Sequence, residues 1–481
     1  MELDEVTVAR IAEEFAKLDL GDPRRTRRVV EFVTAMARHP QQSLPLALST
    51  EAALEGAYRL LNNENVDFDD LLTEHRDRTV DRARAAGEVL VLHDTTTCKF
   101  DHADPREIGY LPTGKAGLFS HVSLVVDTKR HRRPLGVLHV EPYWRARKSG
   151  RGSRKKHISG KEAASWTNRE AERWVRGVQA CHEQLDGCPA IHVMDREGDK
   201  YELFAHMHEH NQRFVVRLRG DRRLTAKHDG QSLLDVVQSQ PISLTREVHV
   251  SRRKASTAPR SQRQTPERPA RRATLVVTRA AVVLRRPNSL PVDHVPELPV
   301  NVVHVRETDP PDGQDPIDWT LLTSEPTHTL EDIERIIDIY RYRWLIEELF
   351  KALKTGCLYE DRLFESRHAL LNLLATSLPI AVELLWMRAR VEDDPKAPAL
   401  DIVDAEQLEV LRAMGHRPVP ANATAAQVLL AIAGLGGHLK RNGSPGWLVL
   451  QRGYQRLLDY TAGWVARGRG QRGRQPKPRN L

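Results

Sequence analysis

Cysteine is scarce in this chain: Cys98, Cys181, Cys188 and Cys357 are the four in 481 residues. Cys181 and Cys188 lack the C-x2-C spacing of a zinc site, and no second pair completes one. So few thiols suit a reducing cytoplasm, which is the expected location. A secretory leader is not expected either, because "MELDEVTVARIAEEF" is acidic and amphipathic. An uninterrupted apolar span is also lacking. The best candidate, "ALLNLLATSLPIAVELLWM" (369–387), contains Asn372, Pro379 and Glu383, each costly in lipid, and reads as a core helix of a soluble protein with no membrane partner. "LPTGKAG" holds Gly114-Lys115 without the rest of a P-loop, which argues against ATP. "HMHEH" brings His206, His208 and His210 together without a carboxylate or cysteine to complete a metal set, and reads as a solvated helix end. No internal repeat is visible.

What is present is length, ordinary globular composition and positive charge. A chain of 481 residues is too long for one core, so two to four domains are expected. It is 40% hydrophobic and 29% charged, with a net charge of +8 and a pI near 9.3. That balance points to an acidic partner, of which nucleic acid is the commonest.

Residues 1–72 carry apolar residues at helical spacing in "VVEFVTAMA" and "LEGAYRLL". In "LGDPRRTRRVV", Asp22-Pro23 signals a helix start. Arg24, Arg25, Arg27 and Arg28 then fall in the first turns, where cations oppose the helix dipole. A phosphate backbone accounts for them, and a solvated basic face is the alternative. From about 86 to 220 the runs "EVLVLHD", "HVSLVVD", "LGVLHVEPYW", "AIHVMD" and "RFVVRLRG" read as strands. Helices are expected in "GKEAASWTNREAERWVRGVQACHEQ" and around "YELFAHMHEHN", giving a mixed, mostly parallel α/β sheet. Residues 221–318 read as a β-rich insertion around a basic Ser/Pro/Arg loop near 252–272. From 329 the chain turns helical and ends in a basic, structureless tail, "RGRGQRGRQPKPRNL".

The stretch "DIYRYRWLIEELFKALKTG" (338–356) reads as one helix. On a regular wheel Tyr340, Arg343, Glu347, Lys351 and Lys354 share an arc of about 80°, with Leu345, Ile346, Leu349 and Leu353 largely opposite. Taken alone this could be a surface laced with salt bridges such as Glu347 with Lys351. Two further carboxylates bear on it. Asp94 ends "VLVLHD" and Asp195 ends "AIHVMD", and carboxyl ends of sheet strands are where α/β proteins place function. Three carboxylates among cations suit phosphodiester cleavage by two Mg2+ ions, which need hard oxygen ligands. Arg and Lys would hold the remaining phosphates.

Tyr340, Arg343, Glu347 and Lys354 reproduce a Y-(2)-R-(3)-E-(6)-K spacing. In this the chain resembles the bacterial cut-and-paste transposases of insertion-sequence family four, closest to the transposon-five type. "LGDPRRTRR" and "EGAYRLL" resemble the family's N-terminal DNA-binding region, and "LHDTTT" and "DREGD" its first two catalytic segments. "WTLLTSEP" resembles the strand before its catalytic helix, and "IAGLGGHL" its C-terminal region.

The resemblance implies a ribonuclease-H-like catalytic core interrupted by a β-rich insertion. It implies domains at 1–72 (DNA-binding), 73–368 (catalytic, with the insertion at about 221–318) and 369–481 (dimerisation). It implies a triad of Asp94, Asp195 and Glu347 holding two Mg2+ ions, with Mn2+ able to substitute. Tyr340, Arg343, Lys351 and Lys354 would grip phosphates. Trp319 would stack on a base flipped from the duplex, a contact that repays unstacking by about 1–3 kcal/mol. Arg217, and less closely Arg219 and Arg222, lie where the family touches DNA. The implied partners are double-stranded DNA, as terminal repeats and as target, and a second copy of the chain. Leu349-Phe350 and Gly198 depart from the family pattern without removing a ligand. Two other readings stay open: a non-catalytic DNA-binding regulator, and a nuclease on the same core that never joins strands.

Overall fold

The computed structural model describes residues 3, 5–129, 133–146, 172–228, 230–250, 256–257, 264–265, 267–290, 294–414, 417–439 and 445–472. They form two compact units, Arg76–Glu347 and Met1–His75 with Glu348–Leu481.

The unit Arg76–Glu347 is built on a nine-stranded sheet. Its strands are β1 (Val89–Lys99), β2 (Gly117–Asp127), β3 (Pro134–Tyr143), β4 (Ala190–Met194), β5 (Arg213–Arg217), β6 (Leu244–Val250), β7 (Arg271–Arg285), β8 (Glu297–Glu307) and β9 (Asp318–Thr323). Their order across the sheet is β3-β2-β1-β4-β5-β9-β8-β7-β6. Only β1–β4 and β4–β5 pair in parallel, so the expectation of a mostly parallel sheet is corrected. A parallel neighbour needs a crossover of a dozen or more residues, usually a helix, and the link 308–317 between β8 and β9 holds none. The expected insertion strands do form, and β7 and β8 pair with each other in the same sheet as β1. Of the basic loop near 252–272, only 256–257, 264–265 and the residues from 267 are described.

β2, "GLFSHVSLVVD", is buried along its whole length, as a strand covered on both faces must be. One cover is the helix Glu172–Leu185, whose Trp174, Gly177, Val178, Cys181 and Leu185 are buried. The part of this expected helix before 172 lies outside the described residues. The helix Tyr201–Glu209 seals the β4–β5 side, with Phe204 stacked on Phe214 at 5.8 Å.

The other unit is helical. Pro23–Arg38 starts where the sequence indicated: the Asp22 side chain accepts from Arg24 N at 2.8 Å and Pro23 fills the first turn. Val29, Phe32, Val33, Met36 and Ala37 form its buried face, each large side chain contributing about 1.5–3 kcal/mol. The apolar run 369–387 lies within one helix, Arg367–Asp393. That helix is long and apolar enough to cross a membrane, yet 78% of its apolar window is buried within the protein. Buried Asn372 Nδ2 donates to the carbonyls of Leu61 (3.1 Å) and Val66 (2.9 Å), so its amide nitrogen is satisfied within the protein. Two later helices, Ala425–Leu435 and Trp447–Arg472, meet through glycine. A Cβ on Gly453 would sit 1.8 Å from the Ile432 carbonyl oxygen, so no other residue permits this approach. Helix continues to Arg472, so the first residues of the expected tail are structured, and 473–481 lie outside the described residues.

Candidate active site

β1 carries Asp94, but not at its end as expected. The threonines that follow keep the strand going to Lys99, because β2 pairs with it throughout (Asp94 opposite Val122, Thr97 opposite Phe119). What stops near Asp94 is the parallel partner: His93 opposite Met194 is the last β1–β4 pair. Asp195 follows directly, caps the short 3-10 turn Arg196–Gly198, and accepts from Glu197 N at 2.8 Å. A Cβ on Gly198 would lie 2.8 Å from Met194 Cβ, so the close packing of this turn requires glycine there. The two aspartates are therefore neighbours because adjacent parallel strands deliver them side by side.

Glu347 comes from the other side of the sequence. The stretch 338–356 is not one regular helix. It divides into Leu330–Tyr342 and Trp344–Lys351, separated at Arg343, and ends in a π turn, Ala352–Gly356. The wheel expectation is corrected accordingly, and Tyr340 is buried rather than displayed.

Arg343 Nη1 stands 3.2 Å from Asp94 Oδ2, and its Nη2 donates to Glu347 Oε1. Both Arg343 and Asp94 are nearly covered, with side chains 12% and 13% exposed. The Asp94 carboxyl is pushed up to about 7, first by burial, then by the Asp195 charge and to a smaller degree by Glu347. Arg343 and the Thr95 N–H, which donates to Asp94 at 2.7 Å, act against that rise. Among the described residues, no three His, Cys, Asp or Glu side chains are already drawn together as a cation site. The donor set nonetheless fits a divalent ion: the ligands are all carboxylate oxygens, they repel one another, and a single guanidinium bridges two of them.

Beside this group lies an aromatic cluster. Trp319, on β9, packs edge-on to Tyr340 with ring centres 5.2 Å apart. Arg217, at the end of β5, places its guanidinium 5.9 Å from the indole centre and bonds the Asp318 carbonyl at 2.8 Å. It also bonds Tyr340, whose hydroxyl burial pushes up. Arg219 and Arg222 are instead engaged with Asp199, the first through its backbone N–H at 2.7 Å and the second through its guanidinium at 3.0 Å.

Lys351 and Lys354 belong to the helical unit and are held there. Lys351 Nζ bonds Glu348 Oε1 at 2.7 Å, and Lys354, in the π turn, lies 3.5 Å from Glu360. Arg24, Arg27 and Arg28 are exposed on the first turns of Pro23–Arg38, while Arg25 caps the Leu20 carbonyl at 2.9 Å. Arg27 and Arg28 line a groove of about 1060 Å3 between that helix and the segment 46–57.

Two features escaped the sequence reading. Glu348, next to Glu347, accepts from Lys351, from Arg388 Nη1 (3.0 Å) and from Trp447 Nε1 (2.7 Å), which lowers its carboxyl. Only tertiary packing distinguishes the two adjacent glutamates. Beneath Asp94, His93 shares hydrogen bonds with His192 (2.9 Å) and Ser123 (2.9 Å), and His121 shares one with Thr95 (3.0 Å). Burial drives His121 and His192 down to about 3, so both are neutral props for the strand. The signal available was histidine set inside apolar strand runs ("VLHD", "SHVS", "AIHVMD").

Converging carboxylates, a nearly covered arginine and flanking aromatics are the residue types that phosphoryl-transfer chemistry on a polyanion would use. Residues 9–66 match the transposase DNA-binding family, and residues 172–379 match the transposase DDE domain family. Two segments of the chain thus resemble transposase domains; the second match contains Asp195 and Glu347, and Asp94 precedes it. Among solved structures the chain is similar to the cryo-EM structure of a piggyBac transposase synaptic complex with hairpin DNA. Identity is 10% and the TM-score 0.30, over 71% of this chain and 55% of that one, a likeness too slight to carry an argument.

Proposed function

We propose that the protein is a cut-and-paste DNA transposase of insertion-sequence family four, with Asp94, Asp195 and Glu347 as its catalytic carboxylates. The observation that carries this reading is the arrangement around Arg343: one buried guanidinium between Asp94 and Glu347, with Asp195 close enough to raise Asp94. A ribonuclease-H-like core is supported by the strand sequence β3-β2-β1-β4-β5, antiparallel up to β1 and parallel after it.

Two divalent cations, Mg2+ or Mn2+, held by the three carboxylates would activate water or a 3′-hydroxyl and stabilise the leaving oxygen. The protein's own groups do the rest. Asp94, as its carboxylate, would be one of the ligands holding the cations. Arg343, which pairs with Asp94 and Glu347, would offer its guanidinium to a phosphate of the bound strand. Tyr340 and Arg217 fix the indole of Trp319 as a stacking face for an unpaired base. The exposed arginines Arg24, Arg27 and Arg28 hold DNA backbone, and Lys351 and Lys354 take further phosphates. The 3′ end freed by nicking attacks the opposite strand, the resulting hairpin is opened by water, and the 3′ ends join target DNA. Each subunit of a homodimer would act on the end bound by its partner, in the cytoplasm, without ATP.

The test uses the full chain and Glu347→Ala with DNA carrying the element's flanking repeats, in Mg2+ or Mn2+ and then in EDTA. Metal-dependent hairpin-ended products from the wild type alone support the proposal. Tight binding without cleavage in any metal assigns the protein to the non-catalytic regulators.

A further inference from the structure

Away from the carboxylates, four arginines converge on a second site of the unit Arg76–Glu347. Arg222, Arg223, Arg285 and Arg286 line a pocket of about 250 Å3 in which Asp221 is the single carboxylate. The backbone fixes the convergence. The segment after β5 runs beside the end of β7: Arg285 N donates to the Arg223 carbonyl at 3.1 Å, and Thr225 N donates to the Val283 carbonyl at 3.1 Å. The arginines at 222–223 and 285–286 therefore face one another across a short ladder.

The four are not equivalent. Arg222 is locked by Asp199 and lies over the Phe204 ring at 5.2 Å; Arg286 donates to the His294 carbonyl at 2.7 Å. Asp221 is engaged with two backbone N–H groups, of Arg222 (2.8 Å) and Leu234 (3.0 Å). Arg223 and Arg285 are exposed, and neither side chain has a hydrogen bond or ion pair among the described residues. Two anchored cations thus shape a pocket that two uncommitted ones complete. Four guanidinium groups drawn together repel unless an anion lies between them, and planar N–H forks match a tetrahedral oxyanion.

We propose that this pocket binds a phosphate of a DNA strand running along the insertion, separate from the carboxylate site. The inference rests on the function proposed above. Asp199 ties the pocket to the catalytic edge, since it holds both Arg222 and the backbone of Arg219 and follows Asp195 by four residues.

The experiment compares the full-length wild type, the double variant Arg223→Gln/Arg285→Gln and the single variant Arg285→Lys. Binding to a fluorescein-labelled duplex is followed by anisotropy across a range of salt, with thermal melting to confirm that each variant folds. The expected result is a salt slope shallower by roughly one in the double variant, with Arg285→Lys close to wild type. Equal slopes for wild type and double variant overturn the proposal while leaving the proposed function intact. A wild type that binds no DNA overturns both. Melting in inorganic phosphate against chloride at matched ionic strength separates the sources. If phosphate stabilises only the wild type and the DNA slope is unchanged, the pocket serves a free phosphate ligand and the DNA proposal fails.

Discussion

Glu347 and Glu348 are adjacent in sequence yet have opposite surroundings. Glu347 pairs with Arg343 beside Asp94, whereas Glu348 is held by Lys351, Arg388 and Trp447. The first carboxylate is paired with the Arg343 guanidinium, which also reaches Asp94. The second is spent on packing.

Substitution should separate them. Glu347→Ala is expected to abolish cleavage with little change in melting temperature. Glu348→Ala leaves Arg388 and Trp447 Nε1 without their acceptor and should cost about 3 kcal/mol of stability. Thermal melting and cleavage, run in parallel on both variants, check this; equal loss of stability in the two would contradict it.

Asp94 links function to pH. Its folded-state carboxyl lies near 7, above its ordinary 3.8, so folding binds its proton more tightly than the unfolded chain does. This contribution to stability is complete below about pH 3.8 and is lost as pH rises through 7. Asp94→Asn should therefore melt higher than wild type at pH 8, by an amount on the order of 1 kcal/mol or more, with the difference shrinking toward pH 4. The variant should be inactive throughout. Melting curves at a series of pH values measure it.

His121 and His192 set the acid limit of the same unit. Both are fully neutral when folded, titrating near 3, but take up protons near 6.5 when unfolded. Their contribution is complete above pH 6.5 and falls as pH drops toward 3, by about 1.4 kcal/mol per pH unit for each. His121→Asn should flatten the acid side of the stability profile, which denaturant titrations between pH 4 and 7 would show.

Arg343 should matter for turnover more than for fold. Arg343→Gln removes the cation between Asp94 and Glu347 and the group assigned to a phosphate. A loss on the order of 10²-fold in cleavage is expected. Arg343→Lys, a point charge without the fork, should recover only part of it. Single-turnover cleavage at saturating metal is the measurement.

Much of this site was legible from spacing. Asp94 and Asp195 close apolar runs that read as strands, and both runs do form strands, β1 and β4. The sheet's direction was less legible, because a strand's own residues do not state which neighbour it takes; β5 pairs with β9 across a hundred intervening residues. Helical phase was misread at Arg343 and at the π turn. A wheel assumes an unbroken 3.6 period, and neither interruption has a Gly or Pro before Gly356 to mark it. The Glu348 network depends on Trp447, far along the chain, and no local pattern predicts it.

The most direct test of the central claim, that Asp94, Asp195 and Glu347 form one divalent-cation site, replaces the metal with Fe2+. The full-length protein would be incubated with Fe2+ and ascorbate, and the polypeptide mapped for hydroxyl-radical cuts. Cuts at the three segments around 94, 195 and 347, suppressed together by Mg2+ and by Asp94→Ala, are the predicted result. Cuts elsewhere, or a pattern unchanged in Asp94→Ala, would contradict the account.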